Sequence, residues 1–384
     1  MEKTVGLIKC DDYDYSKVKK SMKELLDSIG GIEKYISPNS KVMLKMNLLM
    51  KKTPEEATTT HPMVLKALAE ELLSIGCSVT VGDSPGGIYT EKILQGIYES
   101  TGVLEVCREL GLTPNYDIGS QDVNFLEGRT IKTLRVINPV LEADHVISLC
   151  KLKTHGMALF TGGVKNLFGI IPGLLKAEYH FKMPEVKDFS DMLVDIYEYL
   201  KPSLTIMDGI VGMEGEGPSA GKPKKVGVMI ASNDAHALDV TACKIISLNP
   251  TEVPTIQRAL ERNFLKDDFS DIIVKGVQVE DVIISDFEIP NVKSISFLKG
   301  RVPKFLENMI DPLFKPRPVF DYDICIGCGE CKRVCPPHAI EMEGKYPKVN
   351  LNDCIRCFCC HELCPKKAVN IKRPFLNKLL RMER

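Results

Sequence analysis

The sequence predicts an α/β body on a largely parallel sheet, followed by a small α+β metal-binding domain at the C-terminus. Three observations carry this prediction. Short apolar runs alternate with amphipathic stretches over residues 1 to about 290, several of those runs stop abruptly at ionisable or amide side chains, and nine of the 14 cysteines crowd into residues 325 to 364. The alternation is that of strands joined by crossover helices. The charged strand ends matter because open parallel sheets bind ligands beyond the carboxyl ends of their strands.

The expected strands of the body are 5–8, 42–46, 78–81, 145–150, 204–207 and 226–231, and the expected helices are 16–29, 63–75, 90–99, 191–200, 235–247 and 253–263. Helix 63–75 has the clearest limits, with Thr59, Thr60 and His61 ahead of Pro62 at its start and Gly76 at its end. A Pro-rich linker is expected over 291–318, around an amphipathic run at 302–314, and a basic tail over 374–384. With 50 Lys and Arg against 51 Asp and Glu, the chain lacks the basic field that a nucleic-acid binder needs. No apolar run reaches the roughly 18 residues of a membrane span. The first ten residues meet a charge before a signal-peptide core forms. Cysteines at metal-ligand spacing imply thiolates, hence a reducing, cytoplasmic setting. Quaternary state leaves no trace.

The cysteines form two runs, Cys325, Cys328, Cys331 and Cys335 before Pro336, and Cys354, Cys357, Cys360 and Cys364 before Pro365. Both have the spacing C-x2-C-x2-C-x3-C-P, in which a tight loop turns three thiolates toward one cuboidal cluster and aims the fourth at another. The pattern is that of a bacterial-type ferredoxin domain over 319–373 with two 4Fe-4S clusters. One is assigned to Cys325, Cys328, Cys331 and Cys364, the other to Cys354, Cys357, Cys360 and Cys335. Cys-Pro-Pro-His-Ala-Ile at 335–340 and Cys-Pro-Lys-Lys-Ala-Val at 364–369 share the 29-residue offset of the cysteines, so each half supplies one loop, one short helix and one strand. Zinc would call for paired C-x2-C knuckles instead. Cys359 fits neither run and reads as a spectator. Cys10, Cys77, Cys107, Cys150 and Cys243 lack metal spacing and read as small core residues.

In the body, Lys45 and Asn47 close one strand, Asp83 and Asp208 follow two others, and Val146-Ile147-Ser148-Leu149-Cys150 runs into Lys151-Leu152-Lys153-Thr154-His155. Period-two alternation puts Lys151, Lys153 and His155 on one face. A cationic cleft suited to a carboxylate or phosphate is the expectation. Three glycine-rich loops are expected beside it, at 82–87, at 161–169 with Lys165 and Asn166, and at 209–223. The last is no P-loop, since Glu216 stands for the first glycine and Pro223 for the Ser or Thr. Asp234 has the position of an N-cap, and Asp239 lies one turn further on.

Thr60-His61-Pro62, Gly82-Asp83-Ser84-Pro85-Gly86, Lys151-Leu152-Lys153-Thr154-His155, Gly163-Val164-Lys165-Asn166-Leu167-Phe168-Gly169, Asp208-Gly209 and Glu214-Gly215 with Gly217-Pro218 together resemble the "domain of unknown function 362" family, often fused to a ferredoxin. The resemblance implies an iron-sulfur protein of anaerobic or archaeal-style metabolism and brings no reaction with it. The expected function is a ferredoxin-linked oxidoreductase. Its two 4Fe-4S clusters feed a small anionic substrate or cofactor held by Lys151, Lys153, His155, Lys165, Asp83 and Asp208, with His155 or His61 giving protons near neutral pH. The alternatives are a non-catalytic carrier docking a partner oxidoreductase, and a metal or cofactor insertion protein using Asp83, His61, His155 and Asp208.

Overall fold

The computed structural model describes residues 2–290 and 316–373. Most of the expected linker, including its amphipathic run, and the basic tail lie outside the described residues. In chain order the strands are β1 Lys3–Lys9, β2 Lys41–Lys45, β3 Ser78–Gly82, β4 Thr113–Pro114, β5 Ser120–Asn124, β6 Thr133–Ile137, β7 His145–His155, β8 Leu159–Thr161, β9 Leu204–Glu214, β10 Lys222–Ser232, β11 Ile272–Gly276, β12 Arg317–Phe320, β13 Ile340–Glu343, β14 Tyr346–Val349 and β15 Val369–Lys372. The helices are α1 Tyr15–Ser28, α2 Pro62–Ser74, α3 Glu91–Ser100, α4 Val103–Leu110, α5 Asn138–Leu141, α6 Gly163–Asn166, α7 Leu175–Lys182, α8 Val186–Leu200, α9 Ala235–Ile245, α10 Pro254–Glu261, α11 Glu330–Arg333 and α12 Cys359–Glu362.

One nine-stranded sheet organises the body, in the order β11-β1-β10-β9-β7-β2-β3-β4 with β8 paired to β7. The run from β9 through β7, β2 and β3 to β4 is parallel throughout, whereas β10 lies antiparallel to both β1 and β9. The sheet is therefore largely parallel, as the alternation of apolar runs implied. Alternate side chains serve opposite faces. Leu44, Val81, Ile147, Leu149 and Ile206 pack under α1 to α4, while Leu7, Cys150, Leu152, Met207 and Ile230 pack under α9 and α10. Cys10, Cys77, Cys107, Cys150 and Cys243 are all buried within these layers.

Two of the expected loops are regular structure. Residues 209–214 belong to β9, which turns at Gly215 into β10, so that stretch is a hairpin. Its glycines answer to packing, since a Cβ on Gly212 would sit 2.9 Å from Leu152 Cδ2 and one on Gly209 3.0 Å from the Val228 carbonyl oxygen. Residues 161–169 comprise the end of β8, helix α6 and a turn of 3-10 helix. Helix α8 starts at Val186, five residues before its expected start. Strand β7 continues through the polar residues to His155, because β8 and β9 supply ladder partners on both sides. Strand β12 starts at Arg317, inside the stretch assigned to the linker.

The C-terminal domain has a two-fold internal plan. Antiparallel pairs β12–β15 and β13–β14 flank the cysteine loops, and backbone with positive φ recurs at Gly327, Gly329 and His338 and, 29 residues on, at Arg356, Phe358 and Lys367. The halves also exchange backbone bonds, from Asp321 N to Ala368 O and from Asn350 N to Ala339 O, both 2.8 Å. Among the described residues no helix is long and apolar enough to cross a membrane.

Candidate functional site

The cysteine loops fit 4Fe-4S clusters. Cys325, Cys328, Cys331 and Cys364 line one cavity of about 370 Å³, which joins the first three thiols of one run to the fourth of the other. Cys335 lies within Coulombic reach of Cys357 and Cys354, and Cys360 within reach of the same three. Among the described residues no three His, Cys, Asp or Glu side chains gather closely enough for a single ion. A cube instead spreads its thiolates over four irons. The two ends differ in setting, because Cys328 at one is exposed while Cys335 and Cys360 at the other are buried.

The domain docks on the carboxyl end of the parallel strands. Ser219 Oγ donates to the Glu362 carbonyl (2.6 Å), the His361 ring approaches the Glu216 carbonyl (3.3 Å), and Arg373 pairs with the Glu216 carboxylate. Lys367 reaches the Gly221 carbonyl at 3.4 Å. Gly86 lies so close to this domain that a Cβ there would meet Leu363 Cδ2 at 2.7 Å. Docking leaves a cleft with about 770 Å³ of empty space, its mouth included. Lys45, Asp83, Lys153, Lys165 and Lys176 line its body side, and Val334, Cys359, Glu362 and Leu363 its cluster side.

The body wall is a cross-linked set of strand ends. Lys45, the last residue of β2, pairs with Asp83 Oδ1 at 2.7 Å and donates to Asn166 Oδ1 (3.2 Å). Asn47 Nδ2 donates to the same oxygen (2.9 Å), and Asn166 Nδ2 donates to Ser148 Oγ on β7 (2.9 Å). Lys153 donates to Asn47 Oδ1 and the Thr58 carbonyl, both 2.7 Å. Lys176 donates to the Ser84 carbonyl (2.8 Å) and hydroxyl (3.1 Å). Asp239 on α9 accepts from Gly163 N (2.6 Å) and Val164 N (3.2 Å), so it holds the first turn of α6 and with it Lys165. Burial raises its carboxyl to about 7. Asp234 accepts from Ala237 N at 2.9 Å as the N-cap of α9.

Lysine burial has a clear electrostatic sign. Desolvation drives the Lys153 ammonium down to about 7, with help from Lys165 and Lys151, and drives Lys176 to about 7 as well. Lys165 is lowered by desolvation, against the attraction of Glu362 and Cys359. It has no hydrogen bond or ion pair among the described residues. Thr161 Oγ1, also on the cleft wall, is buried without a partner.

His155 is placed by its own backbone. Its Nδ1 accepts from Met157 N and Ala158 N, both 3.1 Å, which leaves the Nε2 proton facing Glu362 Oε1 at 2.9 Å. The approach lies off the hydrogen-bond axis, and both atoms lack a well-aligned partner. Burial holds His155 near 4, and likewise His61 near 4. The shift favours the neutral form of both imidazoles at pH 7, which runs against the expected delivery of protons there. Desolvation outweighs the neighbouring carboxylates.

The single cleft expected from the sequence separates into two networks. Lys153, Lys165 and Asp83 line the cleft, and His155 stands behind Glu362 at its edge. Lys151, Asp208 and His61 do not line it. Lys151 is fully buried on Asp208 Oδ2 (2.8 Å) and the Tyr13 hydroxyl (2.8 Å), and Tyr13 donates to Asp208 Oδ1 (2.8 Å). The His61 ring stacks on Tyr13 at 3.6 Å, and its backbone N donates to Asp208 Oδ2 at 3.0 Å. The bulge between Lys151 and Lys153, where β7 shifts register against β9, coincides with this division. Asp83 and Asp208 each hold a different lysine, so the four side chains of the insertion-protein alternative do not converge. Lys176, Thr161, Glu362 and His180 line or flank the cleft without any signal in the sequence, because their positions depend on how distant elements dock.

Residues 42–244 match the model of a domain of unknown function (DUF362), and residues 317–365 that of a 4Fe-4S dicluster domain. The thylakoid-associated protein sll1697 of Synechocystis sp. is 32% identical over 299 residues, covering 76% of this chain and 89% of that protein. Among solved structures, the lactate racemase apoprotein of Thermoanaerobacterium thermosaccharolyticum superposes with a TM-score of 0.39 at 13% identity, covering 59% of this chain. A Thermotoga maritima protein gives 0.35 at 15% identity and the same 59% coverage. The chain spans 54% and 57% of those two chains, and neither likeness bears on its chemistry. The chain is an iron-sulfur electron-transfer protein and belongs to the DUF362 family, with a 4Fe-4S dicluster domain at its C-terminal end.

Proposed function

We propose that this chain is a ferredoxin-linked oxidoreductase that passes electrons from its C-terminal domain to a small anion held in the lysine-lined cleft. Cys325, Cys328, Cys331 and Cys364 hold one 4Fe-4S cluster, and Cys354, Cys357, Cys360 and Cys335 a second. When bound, each supplies one electron at a potential set by burial, charge and hydrogen bonds to sulfur.

The single observation that carries the reading is that the cluster domain forms one wall of the cleft. Cys359, between the ligands Cys357 and Cys360, lies on that wall across from the body's lysines. Docking of this kind fixes donor and acceptor at high effective concentration. The chain's own residues then divide the work. Lys165 and Lys153 bind the anion, Lys45 with Asp83 and Asn166 keeps the strand ends in register, and Leu363 and Val334 exclude water from the cluster side. The reading sets the protein in a reducing, cytoplasmic compartment, as its thiolates require.

The test is anaerobic stopped flow on the full chain reduced with dithionite, mixed with a panel of anionic metabolites and followed at the cluster absorbance. Faster reoxidation by one class of anion, lost in Lys165→Met with iron content unchanged, is the expected result. Reoxidation at the same rate with and without every anion would rule out the proposal. The carrier reading draws support from one feature, the exposed Ile324 and Ile326 beside exposed Cys328, which suit a partner protein at the first cluster. That reading predicts that Lys165→Met leaves electron transfer to the partner intact.

A further inference from the structure

The cleft carries more positive charge than its own carboxylates neutralise. Four lysines line it against two carboxylates, Asp83 and Glu362. Lys45 is matched by Asp83 at 2.7 Å, and Glu362 faces the His155 imidazole at 2.9 Å. Lys153 and Lys176 bond only to amide, hydroxyl and carbonyl oxygens. Lys165 bonds to nothing among the described residues. With all four lysines protonated, the state that a bound anion favours, the cleft holds an excess of two positive charges. A second observation points the same way, because Thr161 is only 3% exposed and its Oγ1 is buried on this wall with no partner among the described residues. A hydroxyl on the same wall as ammonium groups that lack carboxylate partners is an oxyanion's complement. Leu49, Phe168, Leu174 and Leu363 add apolar surface to a lining that also presents Asn47, Ser84, Asn166 and His180.

We propose that the cleft selects a doubly charged oxyanion carried on an apolar body, a phosphate monoester or a dicarboxylate, with Lys165 as its principal contact and Thr161 as a hydrogen-bond donor. This rests on the reading of the cleft as the acceptor site. Charge number is the selective feature. A monoanion leaves one lysine uncompensated in a desolvated wall, whereas a dianion balances the excess. The apolar residues favour a ligand with a hydrophobic body over a bare ion such as inorganic phosphate.

The experiment is anaerobic isothermal titration calorimetry on the oxidised holoprotein, with phenyl phosphate, succinate, inorganic phosphate and benzoate as probes. Phenyl phosphate or succinate is expected to bind at least about tenfold more tightly than benzoate, and which of the two binds better decides between phosphate and carboxylate heads. Lys165→Met is expected to weaken the dianion by about tenfold or more, and Thr161→Val by roughly two- to tenfold. Lys165→Arg is expected to restore most of the affinity. Lys165 has no hydrogen-bond or ion-pair partner to lose among the described residues, so Lys165→Met should fold, and circular dichroism with the iron count verifies it. The proposal is overturned if benzoate binds as tightly as phenyl phosphate and succinate. It is equally overturned if no dianion binds below about 1 mM, or if Lys165→Met binds as well as the parent. No electron moves in this assay. A chain that binds dianions yet never reduces one refutes the electron-delivery reading alone, and reduction of an uncharged acceptor refutes the dianion alone.

Discussion

Asp208→Ala tests whether the Lys151 network is structure or chemistry. The Asp208 carboxylate accepts from four donors, Lys151 Nζ and the Tyr13 hydroxyl at 2.8 Å, His61 N at 3.0 Å and Ile210 N at 3.3 Å. Removing it strands a fully buried ammonium whose one remaining hydrogen-bond partner among the described residues is the Tyr13 hydroxyl. Breaking a buried pair from one side costs about 3–5 kcal/mol. At about 2–4 °C per kcal/mol for a domain of this size class, the melting point should fall by roughly 6–20 °C. Lys151→Met should be milder, because the carboxylate keeps three donors. The double variant Lys151→Met, Asp208→Leu should regain at least half of the loss, since an apolar pair of similar volume removes both desolvation penalties. Anaerobic urea unfolding followed by far-UV circular dichroism is the assay, as the chain has no tryptophan for fluorescence. Additive single losses with no recovery in the double variant would refute the pairing argument. Full stability of Lys151→Met together with abolished electron transfer would instead place Lys151 in the chemistry.

Three further outcomes follow from the geometry. Cys364→Ala should remove a ligand from the cluster of the first cysteine run, and Cys335→Ala one from the second; electron paramagnetic resonance of each reduced variant should lose the complementary signal, and loss of the same signal in both would reject crossed ligation. Lys153, held at about 7 against an ordinary 10.5, is charged below pH 7 and neutral above it, so anion affinity should fall as pH rises through 7 and binding at pH 8 should take up protons, measured by calorimetry in buffers of different ionisation enthalpy. The sign for folding is opposite, since between about 7 and 10.5 the unfolded chain holds the proton that the native chain has lost, and this lysine makes the empty protein more stable as pH rises through that window. Gly169→Ala places a Cβ 2.2 Å from Asp83 Oδ1 and 2.3 Å from Lys45 Nζ, so it should disturb that ion pair and weaken anion binding while Gly111→Ala, with no atom nearby but φ of +68°, should cost stability alone.

Much of this arrangement was legible in the residue pattern, and the reasons differ by element. Strands β2, β3 and β7 announce themselves because each is an apolar run ended by Lys45, Asp83 or Lys151, and the two cysteine runs fix their loops by spacing alone. Strand β9 past Asp208 was not legible as a strand, because Gly209 and Gly212 read as loop residues until Leu152 is seen packed against them. Helix α6 was hidden for the same reason, as Gly162 and Gly163 are required by the approach of Asp239, Thr205 and Ala235. Lys151 and Lys153 share a face by alternation, yet the register shift against β9 sends one to Asp208 and the other to Asn47. Glu362 lay in view between two cysteines, but only the docking of the domain sets it against His155.

The distribution of partners among the buried lysines argues for binding over mere architecture. Where the fold needs a lysine for itself it supplies a carboxylate, as Asp83 does for Lys45 and Asp208 for Lys151. An ammonium buried without a counter-ion destabilises the native state, and a purely structural position would be better filled by methionine or leucine. Lys153, which is 1% exposed, and the half-buried Lys165 and Lys176 break that rule together, on the body wall of one cleft. Perturbed groups concentrated in a cleft are the expected signature of a site whose counter-ion arrives with the ligand. Because an anion there also sits near the second cysteine loop, its charge should make that cluster harder to reduce, and by linkage reduction should loosen the anion. Redox titration with saturating phenyl phosphate is expected to lower the potential of one cluster and leave the other in place; equal shifts in both would mean that the charge acts through the whole domain and that the cleft has no privileged cluster.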